Sequence, residues 1–382
     1  MKWLLALLLA GSAHAQNLTY VGQQIVPGSP VFRGLPVGGL SSIDYVPATG
    51  HYVAICDDRS DKGPARFYEL ALDLAKFRRS ADPGDAGVSW VNVTTMLDLD
   101  GQPFARNMVD PESLRLDTRR KLIYWANEGQ RSSKSMQNPT LRRMHVDGTP
   151  AGEFAVPSYY HPVGSASGLA AGDVGVHNNL AFESVAIAPD GKTMWTMVEN
   201  GLAQDSLPTA VGQGSRARML SFDLDTGKPG AEYIYDVDPL PFPPAHAGDF
   251  ATNGVPDVLA LSSSEFIVIE RAYAVDAATP GRAALTGKPT SNTIKLFHID
   301  TNGATDVSGW HSIKGRDVVP VQRRLMLDLS TLTNDDGSVL AVDNIEGITL
   351  GPLLNGKRTL ILASDNNFNP LQFTQFIALV ID

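Results

Sequence analysis

Cysteine is nearly missing from this chain. There is one, Cys56, so no disulfide can form within it. It closes an apolar stretch and reads as a small buried hydrophobe, not a reactive thiol. An exported chain with a lone cysteine points to a bacterial periplasm or to secretion, not to a disulfide-stapled module. The eight histidines are scattered and form no ligand-spaced pair, which argues against zinc. No basic run exists and the net charge is −10, so nucleic acid is excluded as a partner. No stretch approaches the roughly 20 apolar residues of a membrane span. The one compact apolar run is Trp3 to Ala10, preceded by Lys2 and followed by Ala13-His14-Ala15. That pattern predicts a secretory signal over residues 1–15, a mature domain over 16–382, and a periplasmic or secreted protein.

What the chain has in quantity is turn chemistry, with 35 glycines and 25 prolines and few long helical patterns. An all-β chain is expected. One phrase recurs along it: an acid, a short apolar strand, a turn, a second apolar strand, a polar cluster. It is clearest from Asn344 to Phe368, and returns at Asp110–Glu128 and Phe182–Asn200. A degenerate copy spans Gly38–Arg59 and a looser one Val255–Arg271. Repetition of one supersecondary unit at such spacing predicts a propeller or an array. The fifth unit is one strand short, whereas Asn17–Val26 is one strand in excess. Pairing the first strand into the last blade removes both exposed edges. The expectation is a single β-propeller closed by its N-terminal strand. It has five blades, or six if Ser158–Asn179 or Ala304–Leu327 holds further strands. The irregular stretches Gly129–Thr140, Ser158–Asn179 and Ala274–Asn292 are expected to project from the rims.

Each repeat carries polar groups where its first strand starts and where its second strand ends. In an antiparallel hairpin these two points are neighbours. The groups should therefore form a ring of carboxylates, amides and arginines at one mouth of the channel. Candidate catalytic carboxylates are Glu112, Glu183 and Glu346, which recur at one register. Candidate metal ligands are Asp58, Glu128, Glu199, Glu270 and Asp365, hard oxygen donors suited to Ca²⁺. Candidate substrate-binding residues are Arg59, Arg131, Arg271, Asn200 and Asn366, the arginines offering forked contacts to phosphate. Two tempting motifs fail. Gly164–Gly168 has Ala166 where a nucleophile elbow needs serine. Gly351–Arg358 has Arg358 where a phosphate loop needs serine or threonine.

Several of these phrases together resemble the phytase-like family, described as having esterase-like activity of phytase. They are Gly38–Tyr45, Asp110–Leu114, Phe182–Ala186, Ser264–Arg271 and Asn344–Pro352, with Ser364-Asp365-Asn366-Asn367-Phe368 as the closing phrase. The resemblance implies an exported bacterial β-propeller and hydrolysis of a phosphoester or ester. Family motifs often read Glu-Gly where this chain has Glu112-Ser113 and Glu183-Ser184. Serine serves there only if the backbone does not need a positive φ. The resulting expectation is a monomeric phosphoester hydrolase with a calcium-binding mouth and a small-molecule substrate. Two rivals stand beside it: a calcium-braced binding module without turnover, and a metal-free ester hydrolase with a serine nucleophile.

Overall fold

The computed structural model describes residues 17–382, and the expected signal segment 1–15 lies outside them. Five antiparallel sheets, each four strands deep, follow one another along the chain. Blade 1 comprises Leu40–Val46, His51–Cys56, Arg66–Leu72 and Val88–Thr95. Blade 2 comprises Pro111–Asp117, Leu122–Asn127, Thr140–His145 and Pro150–Glu153. Blade 3 comprises Ala186–Ile187, Thr193–Met197, Ser215–Asp223 and Pro229–Val237. Blade 4 has its inner strand in two pieces, Ala251–Gly254 and Val258–Ala260, followed by Glu265–Ala274, Asn292–Asp300 and Gln322–Asp328. Pro256 stands in that break, and proline has no N–H to give a ladder. Blade 5 runs Asn344–Leu354, Lys357–Asp365 and Phe373–Ile381.

The outer strand of blade 5 is Leu18–Pro27. It pairs antiparallel with Phe373–Ile381 from Leu18↔Ile381 to Pro27↔Phe373. The chain's first strand therefore closes the ring, as the strand count predicted. The inner strands pack side by side in the order 1, 2, 3, 4, 5 and back to 1, which completes a five-bladed β-propeller. Hydrophobic clusters fill the seams. One joins blades 1 and 2 through Phe67, Leu114 and Trp125, and another joins blades 4 and 5 through Ile269, Leu296 and Leu362. Burying each such side chain contributes about 1.5–3 kcal/mol.

No sixth blade exists among the described residues. Ala304–Leu327 supplies the start of blade 4's outer strand and a loop that covers the edge of blade 3. There Val307 N donates to Glu232 O and Val321 N donates to Ile234 O, both at 2.8 Å. Covering that edge prevents it from pairing with another chain. Ser158–Asn179 does not project freely either. It wraps Arg131, whose guanidinium donates to the carbonyls of Val163, Ser165, Val174 and Val176 at 2.8–3.1 Å.

A polar cluster closes the axis. Arg115 donates to both oxygens of Asp257 at 3.0 and 2.8 Å, to Ser42 Oγ at 2.7 Å and to Ile348 O at 3.0 Å. Ser113 Oγ accepts from Val185 N at 3.0 Å and donates to Ser42 Oγ at 3.2 Å. These groups come from the inner strands of the five blades or from residues directly flanking them. Asp257 is fully buried and Arg115 is 3% exposed. Of the serines that depart from Glu-Gly, Ser113 thus serves the axial cluster, and Ser184 Oγ accepts from Met197 N at 2.9 Å. Ser113 and Ser184 are absent from the residues with positive φ, so the condition for serine there is met.

Candidate functional site

Above this cluster lies a cavity of about 700 Å³. Its position follows from a repeated irregularity in the inner strands. In blade 2 the ladder steps from Pro111↔Asn127 to Ser113↔Ala126, leaving Glu112 unpaired. In blade 5 it steps from Ile345↔Ser364 to Gly347↔Ala363, leaving Glu346 unpaired. In blade 1 it steps from Leu40↔Cys56 to Ser42↔Ile55, leaving Ser41. A bulge inserts one residue and re-aims its side chain. All three bulged side chains converge. Ser41 Oγ donates to Glu112 Oε2 at 2.7 Å and lies 3.2 Å from Glu346 Oε2.

The ends of the second strands add the rest. Asp57, Glu199 and Asp365 line the cavity with Asp110, Glu112, Glu183 and Glu346. Glu128 sits directly behind, and Asp110, Glu112 and Glu128 offer carboxylate oxygens all within 4.8 Å of one another. Blade 4 contributes a cation instead. Arg271 lies 3.2 Å from Glu199 Oε1 and 3.3 Å from Glu346 Oε1. Arg59 pairs with Asp110 and reaches to 3.8 Å from Glu128.

So many buried carboxylates cannot all be charged at once. Burial and mutual repulsion push the acids up. Asp57 rises to about 8, through burial first and then Glu346 and Asp110. Glu199 rises to about 7, burial outweighing the opposing pull of Arg271. Asp110, Glu112, Glu183 and Asp365 are raised well above their ordinary values, burial again leading. Glu128 and Glu346 are raised for the same reason. The mouth has an unmet demand for positive charge, which protons or a cation can satisfy.

Five of the residues expected at the mouth are engaged elsewhere. Asp58 is buried against Arg66 at 2.7 Å. Asn200 donates to Asn253 O and accepts from Thr209 N. Asn366 donates to Gly28 O and accepts from Gly39 N. Glu270 is held by Tyr235, Asn253 and Arg323. Arg131 holds the Ser158–Asn179 loop. The reason is the period of two in extended backbone, which sends neighbours to opposite sides. Asp57, Glu199 and Asp365 face the cavity, so Asp58, Asn200 and Asn366 face away. In blade 4 the inward member is the second, Arg271, so Glu270 turns out. Sequence reasoning passed over Asp57 in favour of Asp58, although Asp57 and Glu128 each directly follow the last residue of a second strand and Glu199 comes two residues after one. It also missed Lys288, Phe250 and Tyr273 on the wall.

Local glycines permit the close packing. Gly39 has φ +63°, and a Cβ there would stand 2.1 Å from Asp57 Oδ1. A Cβ at Gly254 would stand 2.3 Å from Glu199 Cγ.

The sequence profile of the phytase-like family, described as esterase-like activity of phytase, matches residues 35–368. An "Uncharacterized secreted protein" of Arthroderma benhamiae is 27% identical over 103 residues, which are 26% of this chain and 20% of that protein. Among solved structures, the Dos1 propeller aligns with 89% of this chain and 68% of its own at 7% identity and a TM-score of 0.33. The hydrazine synthase of Kuenenia stuttgartiensis aligns with 92% of this chain and 99% of its own at 11% identity and a TM-score of 0.37.

Proposed function

We propose that this chain, which belongs to the phytase-like family, is an exported hydrolase of small phosphoesters with a calcium-binding mouth. One observation carries the reading: carboxylates from four blades and two guanidiniums meet in a single cavity whose floor is sealed. The donor set fits calcium, because Asp110, Glu112 and Glu128 present clustered hard oxygens and the site carries uncompensated negative charge. These three would hold the ion, with Asp57 and Asp365 on the adjoining wall. Bound calcium would supply positive charge against the ester phosphate and its transition state.

The chain's own residues do the remaining work. Arg59 and Arg271 face the cavity and offer guanidinium N–H groups to phosphate oxygens. Glu346 is oriented by Ser41, Arg271 and Asn344, whose Nδ2 donates to Glu346 Oε1 at 2.8 Å. A carboxylate so placed and raised by burial positions water and takes its proton. Glu183 and Glu112 are the other candidates for this role. The wall holds Thr209, Thr252, Thr286 and Thr290 but no cysteine or histidine, and Ser41 Oγ is spent on Glu112 and Glu346, which disfavours a serine nucleophile. An extracytoplasmic location is part of the proposal, supported by the leader pattern in residues 1–15.

A second reading draws on the fact that both arginines are already shared between carboxylates. The mouth would then be a calcium brace in a binding module. Aryl phosphate turnover, with calcium and with chelator, separates the two. Calcium-dependent phosphate release that Glu346→Gln abolishes supports the hydrolase. A calcium-raised melting temperature without turnover of any ester supports the module.

A further inference from the structure

The wall of the cavity is chemically lopsided. On the side of blades 4 and 5 large apolar side chains stand at the rim among Asp276, Lys288 and Asn369. Phe250 is 65% exposed and Leu371 is 67% exposed, and both line the entrance with Tyr273. The rings of Phe250 and Tyr273 lie 6.3 Å apart at 37°. Phe250 is pinned by its carbonyl, which accepts from Val275 N at 3.0 Å. Large apolar side chains left in water at the lip of a polar cavity form a contact surface for something apolar.

The rim stands in fixed relation to the cations. Arg271 and Tyr273 are two apart on one strand, so both point to the cavity, about 7 Å apart along the backbone. A phosphate held by Arg271 therefore places its ester group beside the Phe250–Tyr273 pair.

Charge excludes one class of ligand. The lining carries nine carboxylates against three cations, Arg59, Arg271 and Lys288. Calcium binding strips protons from these raised acids, so the negative charge uncovered offsets part of what the ion brings. A molecule bearing many phosphates would meet repulsion on most sides, whereas one phosphate can be matched by the two guanidiniums and an ion.

We infer that the site takes phosphomonoesters of low charge whose ester group is aromatic or similarly apolar, and discriminates against polyphosphorylated polyols. This rests on the mouth being a phosphate site, as proposed above. The test is calorimetric binding at matched free calcium, using phenylphosphonate, methylphosphonate and inositol hexakisphosphate as non-turnover probes. Phenylphosphonate should bind about tenfold tighter than methylphosphonate, the scale of one aromatic contact. Phe250→Ala and Leu371→Ser, both at exposed positions, should erase most of that ratio while leaving methylphosphonate binding and the melting temperature unchanged. Inositol hexakisphosphate should bind no tighter than methylphosphonate. A ratio near one, a ratio unmoved in Phe250→Ala, or tightest binding by inositol hexakisphosphate overturns the inference. The predicted preference without turnover leaves it standing and removes only the hydrolase reading. No binding of any probe removes both.

Discussion

Replacing Arg115 by methionine removes the cation at the centre of the axial cluster. Asp257 would keep its place, fully buried, with its partner gone. Breaking a buried pair by removing one member costs about 3–5 kcal/mol, because a charge is left uncompensated. Unfolding entropy of about 2.1 cal/mol/K per residue gives roughly 0.8 kcal/mol/K for a chain of this length. The melting temperature should fall by about 4–6 °C at pH 7.5 if unfolding is two-state. The loss should depend on pH, with a sign fixed by Asp257. Its folded pKa is raised to about 6, burial outweighing Arg115. A raised acid favours the folded state below its ordinary value, and that contribution is lost as pH rises through about 6. Without Arg115 the value moves higher still, so ionisation at pH 7.5 is more costly and protonation at pH 5 relieves it. Differential scanning calorimetry at both pH values reads this. Arg115→Met with Asp257→Leu should recover most of the deficit, since apolar replacement of a whole buried pair is often neutral. A deficit under 1 °C, or one equal at pH 5 and 7.5, would refute the assignment of this cluster as the charged tie of the five blades.

Four further outcomes are expected. In chelator, stability should decline as pH rises from about 5 to 8, because Asp57 and Glu199 lose protons there, at about 8 and about 7. Calcium at 100 times its Kd should restore about 2.7 kcal/mol, read as a melting shift that chelator reverses. Glu183→Gln and Glu346→Gln should each lower turnover about 10²–10⁴-fold. Their melting temperature in chelator should be unchanged or higher, since a repelling acid is gone; loss of folding would mark them as structural. Gly39→Ala should cost about 1–3 kcal/mol and weaken calcium binding, because φ is +63° and the new Cβ would displace Asp57. Unaltered calcium affinity in a folded Gly39→Ala variant would separate Asp57 from the ion.

The propeller was legible because each blade repeats the same acid, strand, turn, strand phrase. The strand missing from the fifth unit and the spare first strand also pointed to a single closure. The end of the molecule carrying the acids was legible too, since a hairpin brings strand starts and ends together. Which member of each polar pair faces inward was not legible. The bulges at Ser41, Glu112 and Glu346 set where the inner-strand side chains point. A bulge inserts one residue and inverts the alternation, and nothing in the residue types at these positions announces it. At the second-strand ends alternation alone decides, and two adjacent polar residues give no sign of which faces inward, so Asp58, Asn200, Asn366 and Glu270 were expected at a mouth from which they turn away. Arg131 failed for another reason: its guanidinium donates to backbone carbonyls of a loop 32 to 45 residues distant, with Asp173 of that loop 3.5 Å away, and carbonyls leave no sequence signal. Phe250 and Tyr273 were passed over because aromatic residues beside a strand read as core.

The most direct test of the calcium-dependent hydrolase account is phosphate release from an aryl phosphate by the purified mature protein, measured across a calcium titration and again in chelator. Release that rises with calcium over the same range as the melting temperature, and stops in chelator, is the predicted result. A protein that hydrolyses the ester equally well in chelator, or that calcium stabilises without any release, would contradict it.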